Sequence, residues 1–343
     1  MALVTLARHA MATRFEIVLH GSDPVKLRAA AEEALDEIER LEGRLSLFRP
    51  TSEISRLNAG AARQPIRVTP ELFALLQQAQ KLHRETGGVF DITIAPLVRC
   101  WGFMHGTGCV PTAEALSEAR ACVGMGLVHL NAKEYTVEFG RQGVMLDLGA
   151  IGKGYAVERA AELLREAGVG SALLHGGTST IYALGHPPEA GDWKVAIADP
   201  RNRPDTWTTS GTQAAPKQAL EVPPLTGEKS HDKDEARNSL PFATVGLKDE
   251  SLSVSAVWGK CFREQGKTFG HILDPRTGLP AAAALLSAVV LPSATETDAL
   301  STALLTVGPE GHEEIARLRP GMRTLVVGEF VGQLVTRAKG IRV

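Results

Sequence analysis

The chain has 343 residues, with 37 basic and 39 acidic side chains, a formal net charge of −2 and 44% hydrophobic residues. This composition is sufficient for a sizeable core and excludes a chain that is disordered throughout. The near-neutral charge argues against a surface that binds nucleic acid through bulk positive charge. The length fits one large domain or two intertwined ones.

The cysteine pattern and the N-terminal segment indicate the class of protein. The four cysteines, at positions 100, 109, 122 and 261, show no CxxC spacing and are too few for a disulfide scaffold. The N-terminal stretch has no charged region followed by an apolar one and no lipobox cysteine, and the longest mostly apolar stretch, 281–291, is too short to span a bilayer. We therefore expect no transmembrane segment and a cytoplasmic protein as encoded, or a periplasmic one if the N-terminus is incomplete.

Hydrophobic spacing predicts a mixture of helices and strands. Apolar residues recur at three and four in several stretches, which is typical of amphipathic helices, and alternate in others, which is typical of strands. Because the strands and helices do not alternate regularly, we expect an α+β fold rather than a βαβ array. In chain order the predicted elements are a strand at 13–19, a helix at 23–42, a loop at 46–60, a helix at 69–86, a buried strand at 144–148, a glycine turn at 149–154, a helix at 155–167, strands at 171–174 and 193–198, ordered stretches at 242–247, 252–255 and 269–273, a turn at 274–278, a strand at 286–291, a helix at 297–307 and closing strands at 324–327 and 333–335.

Residues 201–240 differ in composition from the rest of the chain. They are rich in Pro, Thr, Ser, Lys, Glu and Asp and contain few large apolar residues. Such a segment cannot bury enough apolar surface to order itself. We interpret it as a surface insertion or flexible loop and not as a domain boundary.

A glycine-rich turn at 149–154 follows a predicted strand and begins a predicted helix. Free backbone N–H groups and the helix dipole make such a junction a candidate anion site, and Lys153 adds a positive charge. The spacing fits neither the P-loop nor the dinucleotide-binding fingerprint. A plain strand-to-helix turn with a solvated lysine remains the alternative.

A second candidate site lies on the last predicted helix. Asp298 and Thr302 are four residues apart, so both oxygens lie on one helix face, with Ser301 beside them. Oxygen ligands of this kind suit a hard cation. The alternative is that Thr295 and Asp298 form a capping box that only satisfies the helix start.

His271 precedes a turn-forming sequence, Asp-Pro-Arg-Thr-Gly, at 274–278. A histidine in this position is either a general base or phosphate partner, or a structural residue of the turn.

Two aromatic residues, Trp101 and Phe103, flank Gly102 in a chain with only 5% aromatic residues. Aromatic rings at such a bend either line a bound planar ring or belong to the core.

Taken together and in order, these segments resemble the signatures of the ApbE family, the FAD:protein FMN transferases. A short Met-Gly-Thr signature near the start is replaced by Met-Ala-Thr at 11–13. The other signatures match, and the resemblance extends from Ser46 to Thr302. The matching segments are 46–58, 88–103, 147–155, 176–177, 271–278 and 298–302.

The resemblance implies the fold and the reaction. The fold would be a single ApbE-like, T-fold-related domain over 1–343, with mixed sheets, packed helices and an active site in a cleft between two intertwined lobes. The reaction would be Mg²⁺-dependent transfer of FMN from FAD to a Thr or Ser hydroxyl of a target flavoprotein, with release of AMP. Two alternatives stay open: an FAD hydrolase that forms FMN and AMP, and a non-catalytic flavin-binding protein.

The resemblance also implies roles for individual residues. Mg²⁺ would be held by Asp298, Thr302, Ser301 and the backbone carbonyl of Ala150. His271 would contact the phosphate or activate the acceptor hydroxyl, and would share the catalytic role with Asp298. The residues expected to contact FAD are Met11, Phe48, Trp101, Gly102, Phe103, Asp147, Lys153 and Leu273.

Three positions depart from the family pattern. Ala12 stands where the family has glycine. His175 opens a His-Gly-Gly-Thr segment in which the family commonly has an acidic residue. Ala256 ends a Val-Ser-Ala segment where Thr-Ser-Gly is usual, which adds a methyl group.

Overall fold

The computed structural model describes residues 1–104, 108–189, 191–201 and 241–343, together with the backbone of 220–221. Nearly all of the predicted insertion at 201–240 therefore lies outside the described residues. Within the described ranges, no helix is both long enough and apolar enough to cross a bilayer.

The helices and strands follow one another as a mixture, with few βαβ units. The helices are α1 (Pro24–Leu45), α2 (Glu53–Gly60), α3 (Pro70–Glu85), α4 (Ala95–Cys100), α5 (Ala113–Arg120), α6 (Gly152–Glu166), α7 (Ala294–Val307) and α8 (His312–Ala316). The strands are β1 (Ala2–Ala10), β2 (Thr13–Gly21), β3 (Ile66–Arg67), β4 (Val128–Asn131), β5 (Thr136–Phe139), β6 (Ser171–Gly176), β7 (Thr180–Gly185), β8 (Trp193–Ile197), β9 (Leu220–Glu221), β10 (Ala243–Leu247), β11 (Glu250–Ala256), β12 (Cys261–Glu264), β13 (Lys267–Gly270), β14 (Leu286–Leu291), β15 (Arg323–Phe330) and β16 (Gln333–Lys339).

The central element is an eight-stranded sheet with the order β1-β2-β6-β7-β11-β14-β15-β16. Every neighbouring pair in it is antiparallel. Smaller sheets have the orders β10-β8-β9, β3-β5-β4 and β12-β13. An antiparallel sheet combined with helices confirms the predicted α+β class.

The two faces of the large sheet are covered by different layers. Successive side chains of a strand point to opposite faces, so alternate residues join different cores. Leu174 and Tyr182 pack in the main core with α1, α6 and α7, whereas Leu173 and Ile181 pack in a second core with β8 and β10. The molecule is therefore layered, with helices on one face of the sheet and a small sheet on the other.

A third, smaller core lies around α4 and the β12–β13 hairpin. It contains Leu97, Trp101, Phe103 and Leu273, with Phe262 and other partly buried residues packed against it. The glycine turn, α7 and the segment that follows this hairpin carry several of the residues that the sequence singles out.

The prediction of a loop over 46–60 is wrong in its second half, because α2 begins at Glu53. The Ser52 side chain accepts a hydrogen bond from the Ser55 N–H and caps the helix. Ile54 and Leu57 are fully buried and hold the short helix against the core.

The predicted strand at 144–148 is also wrong, because this extended segment joins no sheet. Its backbone groups find other partners. The Leu146 N–H donates to the Asn58 side-chain oxygen at 2.7 Å, and the Leu146 carbonyl accepts from the Asn58 amide at 3.0 Å. The Asp147 N–H donates to the Ile92 carbonyl at 2.7 Å. The segment alternates in burial as a strand does, but the Asn58 side chain takes the place of a neighbouring strand as partner for the Leu146 backbone.

Candidate active site

The glycine turn and the last predicted helix, which are far apart in sequence, are in direct contact. The Gly154 N–H donates to Asp298 Oδ2 at 2.9 Å, across 144 residues of sequence. A Cβ atom at position 154 would lie 2.2 Å from the Ala294 carbonyl oxygen and 2.7 Å from the Asp298 Cβ. Only glycine allows α6 and α7 to approach this closely.

The first turn of α6 binds a side-chain carboxylate of the protein, that of Asp298. The Gly152 N–H donates to the Leu148 carbonyl and the Gly154 N–H to Asp298, so of these first-turn groups only the Lys153 N–H lacks a hydrogen-bond partner among the described residues. The sequence predicts a row of free N–H groups for an anion. The structure instead places Asp298 at the positive end of the helix, where a negative group is favoured.

The capping-box alternative for Asp298 is wrong. Helix α7 begins at Ala294, and its N-cap is Ser293, whose hydroxyl accepts from the Glu296 N–H. Asp298 lies beyond the first turn and is only 4% exposed. A buried carboxylate inside a helix is costly unless it has partners, and its partners here come from α6.

Four hydroxyl and carboxylate side chains form a cluster next to this contact. The hydroxyls of Ser301 and Thr302 both donate to the Asp298 backbone carbonyl, at 3.0 and 3.2 Å. Ser255, at the end of β11, lies 2.9 Å from the Ser301 hydroxyl and 3.3 Å from that of Thr302. The predicted oxygen-bearing face of α7 is present, and Ser255 extends it.

Two lysines surround the turn. Lys153 Nζ donates to the Gly149 carbonyl at 3.0 Å and lies 3.8 Å from Asp298 Oδ1. Burial raises the pKa of Asp147, while the Gly149 N–H and the positive charges of Lys153 and Lys260 act in the opposite direction. The site therefore combines carboxylates with positive charges supplied by separate segments.

His271 lies on the hairpin side of the same site. Its pKa is lowered to about 4, chiefly by burial and also by the charges of Lys260 and Lys153, against a backbone hydrogen bond to Lys260 that raises it. Its Nδ1 lies 3.0 Å from the Lys260 carbonyl, which can only accept, so Nδ1 carries the proton and Nε2 presents a lone pair. A neutral imidazole in this tautomer suits a proton acceptor better than a cationic phosphate partner.

The predicted ring-lining residues Trp101, Phe103 and Leu273 lie in the third core, each at most 5% exposed. The Trp101 indole N–H donates to the Gly278 carbonyl at 2.8 Å, which ties α4 to the turn after His271. Gly102 has a φ of +71°, in the region that favours glycine. In this structure the two rings pack in the core, and their contact with a flavin stays a prediction.

Met11 and Phe48 are not part of this core. Met11 is half-buried in the turn between β1 and β2, where it and Ala12 have φ values of 50° and 58°. Phe48 is 68% exposed. The Phe48 ring is therefore accessible to a ligand, and the contacts of Phe48 and Met11 with FAD stay predictions.

Sequence reasoning missed two residues of the site, Lys260 and Ser255. Lys260 lies in an irregular segment with no motif, so no sequence signal marks it. Ser255 belongs to a run in which serine alternates with apolar residues, which is a signal for a strand with one polar face.

The oxygen donors fit a hard cation. The Asp298 carboxylate, the half-buried Thr302 hydroxyl and the Ala150 carbonyl, which has no hydrogen-bond partner among the described residues, are ligand types that Mg²⁺ accepts. Within the described ranges, no group of three or more His, Cys, Asp or Glu residues has metal-binding geometry.

A cavity of about 340 Å³ lies behind the helix pair, and its lining includes Tyr155, Glu158 and Thr295. None of the predicted site residues lines it.

Comparison with known families identifies the ApbE family. The model of the ApbE family matches residues 11–326. Curated relatives named FAD:protein FMN transferase include one from Treponema pallidum, 29% identical over 330 residues that cover 92% of this chain and 81% of the relative. Another from Haemophilus influenzae is 28% identical over 324 residues, 92% of this chain and 83% of the relative.

Solved structures show the same fold. The ApbE protein from Thermotoga maritima superimposes with a TM-score of 0.79 at 23% identity and covers 99% of this chain and 97% of its own. The apo form of the flavinyl transferase ApbE from Pseudomonas stutzeri has a TM-score of 0.77 at 25% identity. The match covers 99% of this chain and 95% of that protein's chain.

Proposed function

The chain belongs to the ApbE family, and from this premise we propose that it is an FAD:protein FMN transferase. It moves FMN from FAD to a Thr or Ser hydroxyl of a target flavoprotein and releases AMP. Relatives at 29% and 28% identity carry this name. The observation that supports it best is the contact between Gly154 and Asp298, because it joins a carboxylate–hydroxyl cluster to a basic turn beside His271.

The reaction is a phosphoryl-type displacement. The acceptor hydroxyl oxygen attacks the phosphorus on the FMN side of the diphosphate, and the bond from that phosphorus to the bridging oxygen breaks. AMP leaves with the electron pair, and the hydroxyl proton passes to a base. Such reactions depend mainly on positioning and on neutralising phosphate charge.

We assign the positive charges near the diphosphate to Lys153 and Lys260. The charges of both lysines lower the pKa values of Asp147 and His271, so two separate segments supply positive charge to one region. Lys153 is already held by the Gly149 carbonyl, which limits its freedom before substrate binds. His271 Nε2 would take the proton of the acceptor hydroxyl.

Mg²⁺ is the metal that this donor set suits best. Asp298, Thr302 and the Ala150 carbonyl would hold it, and Ser301, which is fully buried, lies behind Thr302. When bound, Mg²⁺ supplies charge neutralisation at the diphosphate.

The test is incubation with FAD and MgCl₂, with and without a target domain that carries a Thr acceptor. We expect AMP and an added FMN mass on the target by mass spectrometry, and loss of both in Asp298→Ala. AMP without a target would indicate the hydrolase, and a yellow protein that releases no AMP would indicate a flavin-binding protein. An Asp298→Ala variant as active as the wild type would contradict the metal assignment.

A further inference from the structure

Strand β11 presents a row of serines to helix α7. Leu252 and Val254 point into the core under β8 and β10, so Ser251, Ser253 and Ser255 point to the opposite face. Aliphatic residues are the usual filling between a helix and a sheet. A row of hydroxyls in this place therefore needs an explanation.

The first two serines of this row bind the body of the helix. Ser253 donates to the Thr297 hydroxyl at 2.8 Å, and the Thr297 hydroxyl lies 3.1 Å from that of Ser251. All three residues are fully buried. These contacts fix the helix on the sheet, but they do not touch Ser301 or Thr302.

Ser255 is different because it contacts the two α7 hydroxyls next to Asp298, those of Ser301 and Thr302. Its hydroxyl lies 2.9 Å from that of Ser301 and 3.3 Å from that of Thr302. Ser301 and Thr302 each give their only hydroxyl proton to the Asp298 carbonyl. Ser255 can therefore only donate to them, and its single hydroxyl proton is shared between the nearer Ser301 oxygen and the Thr302 oxygen. A Thr302 lone pair is left for another partner.

The contact with Ser255 bears on the conformation of Thr302. A threonine in a helix divides between two χ1 rotamers of similar energy, because its hydroxyl can bond to the carbonyl one turn back. A single additional hydrogen bond from the strand is enough to select one of them.

We propose that Ser255 is a positioning residue that selects the Thr302 rotamer whose oxygen faces Mg²⁺. This inference rests on the proposed function, because it takes Thr302 as a metal ligand. Ser255 does not bind the metal itself.

The experiment measures Mg²⁺ affinity directly, by calorimetric titration of the whole protein with MgCl₂ in the absence of FAD and target. Ser255→Ala leaves the Ser301 and Thr302 hydroxyl protons on the Asp298 carbonyl, so no buried donor is stranded. We expect its Mg²⁺ affinity to fall about fivefold, the ratio that corresponds to one net hydrogen bond.

Ser253→Ala is the matched control. It lies on the same strand and the same face and also loses a hydrogen bond to α7. We expect a lower thermal unfolding midpoint but an unchanged Mg²⁺ affinity. An equal loss of affinity in Ser253→Ala would show that helix docking in general is responsible, and would overturn the inference.

A double-mutant cycle separates positioning from indirect effects. If Ser255 acts through Thr302, Ser255→Ala has no further effect on Mg²⁺ affinity in a Thr302→Ala background. An undiminished fivefold effect in that background would overturn the inference.

Asp298→Ala distinguishes this inference from the proposed function. If Asp298→Ala binds Mg²⁺ as the wild type does, the metal placement in the proposed function is wrong. If Asp298→Ala loses Mg²⁺ and Ser255→Ala matches the wild type, only the role of Ser255 is wrong.

Discussion

At the scale of single residues, Asp298 is buried at 4% exposure yet has polar partners for its side chain and its main chain. A backbone N–H of α6 binds one of its oxygens, and Lys153 Nζ lies 3.8 Å from the other. Its own backbone carbonyl accepts hydrogen bonds from the hydroxyls of Ser301 and Thr302. Its side chain thus links α7 to α6, whereas its main chain binds two residues of its own helix.

His271 gives a prediction for acid pH. Its pKa is lowered to about 4 in the folded protein, below the ordinary value of 6.5. Between these values the unfolded chain takes up a proton that the folded protein does not, so this residue makes stability fall as pH falls from about 6.5 towards 4. We expect His271→Asn to remove up to about 2 kcal/mol of the stability loss between pH 7 and pH 5, measured by urea unfolding.

His83 provides a control of opposite sign. A hydrogen bond to Asp91 is the main cause that raises the pKa of His83. Its contribution to stability is therefore complete below about pH 6.5 and is lost as pH rises through the raised value. His83→Gln should lose more stability at pH 5 than at pH 8. Equal pH profiles for the wild type and both variants would contradict these assignments.

Residue roles were predictable from the sequence only where spacing determined them. The four-residue spacing of Asp298 and Thr302 was sufficient to place both on one helix face. Lys260 and Ser255 were not predictable as site residues, because they reach the site through the β12–β13 hairpin and the strand register. Asp147 was found through the motif, but its burial depends on neighbours distant in sequence.

At the scale of elements, strong hydrophobic periodicity was sufficient to predict a helix, and weak periodicity was not. The helices predicted at 23–42 and 69–86 appear as α1 and α3, each with a row of buried apolar residues on one face. Helix α2 was missed because eight residues carry too little periodic signal. The stretch at 144–148 has the alternating burial of a strand, although a side chain provides its pairing.

The junction of α6 and α7 gives a second prediction. Gly154→Ala would place a methyl group 2.2 Å from the Ala294 carbonyl oxygen. The helices would have to separate, so we expect a loss of at least about 1–3 kcal/mol in unfolding free energy. Mg²⁺ affinity should fall with it, because Asp298 loses its position.

Gly43→Ala is the matched control for this substitution. Gly43 lies in α1, and a methyl group added there would have no heavy atom within 4 Å and an ordinary helical φ. There the change should stabilise the helix by up to about 1 kcal/mol and leave Mg²⁺ affinity unchanged. A Gly154→Ala protein as stable as the wild type would contradict the close-contact explanation.

At the scale of the whole molecule, the α+β class followed from the sequence but the strand order did not. Neighbours such as β2 and β6 pair across a long stretch of chain, and no local pattern specifies which strands pair. The layered arrangement, with helices on one face and β8 and β10 on the other, likewise depends on these pairings.

Because the site is built from segments distributed over the fold, its ligands should stabilise the entire protein. A ligand at a hundredfold excess over its Kd raises the unfolding free energy by about 2.7 kcal/mol. We expect FAD with MgCl₂ to raise the thermal midpoint, and Asp298→Ala to lose the MgCl₂-dependent part. The absence of any shift with FAD at saturating concentration would contradict the proposed substrate.

The contact between Gly154 and Asp298 spans 144 residues of sequence, and the edges of the large sheet are its first and last strands. Such non-local pairing slows folding, because long loops must close before their contacts form. The residues that we propose as Mg²⁺ ligands are therefore expected to remain apart during synthesis until most of the polypeptide has left the ribosome. We therefore expect Mg²⁺ and FAD to bind only after the central sheet has assembled.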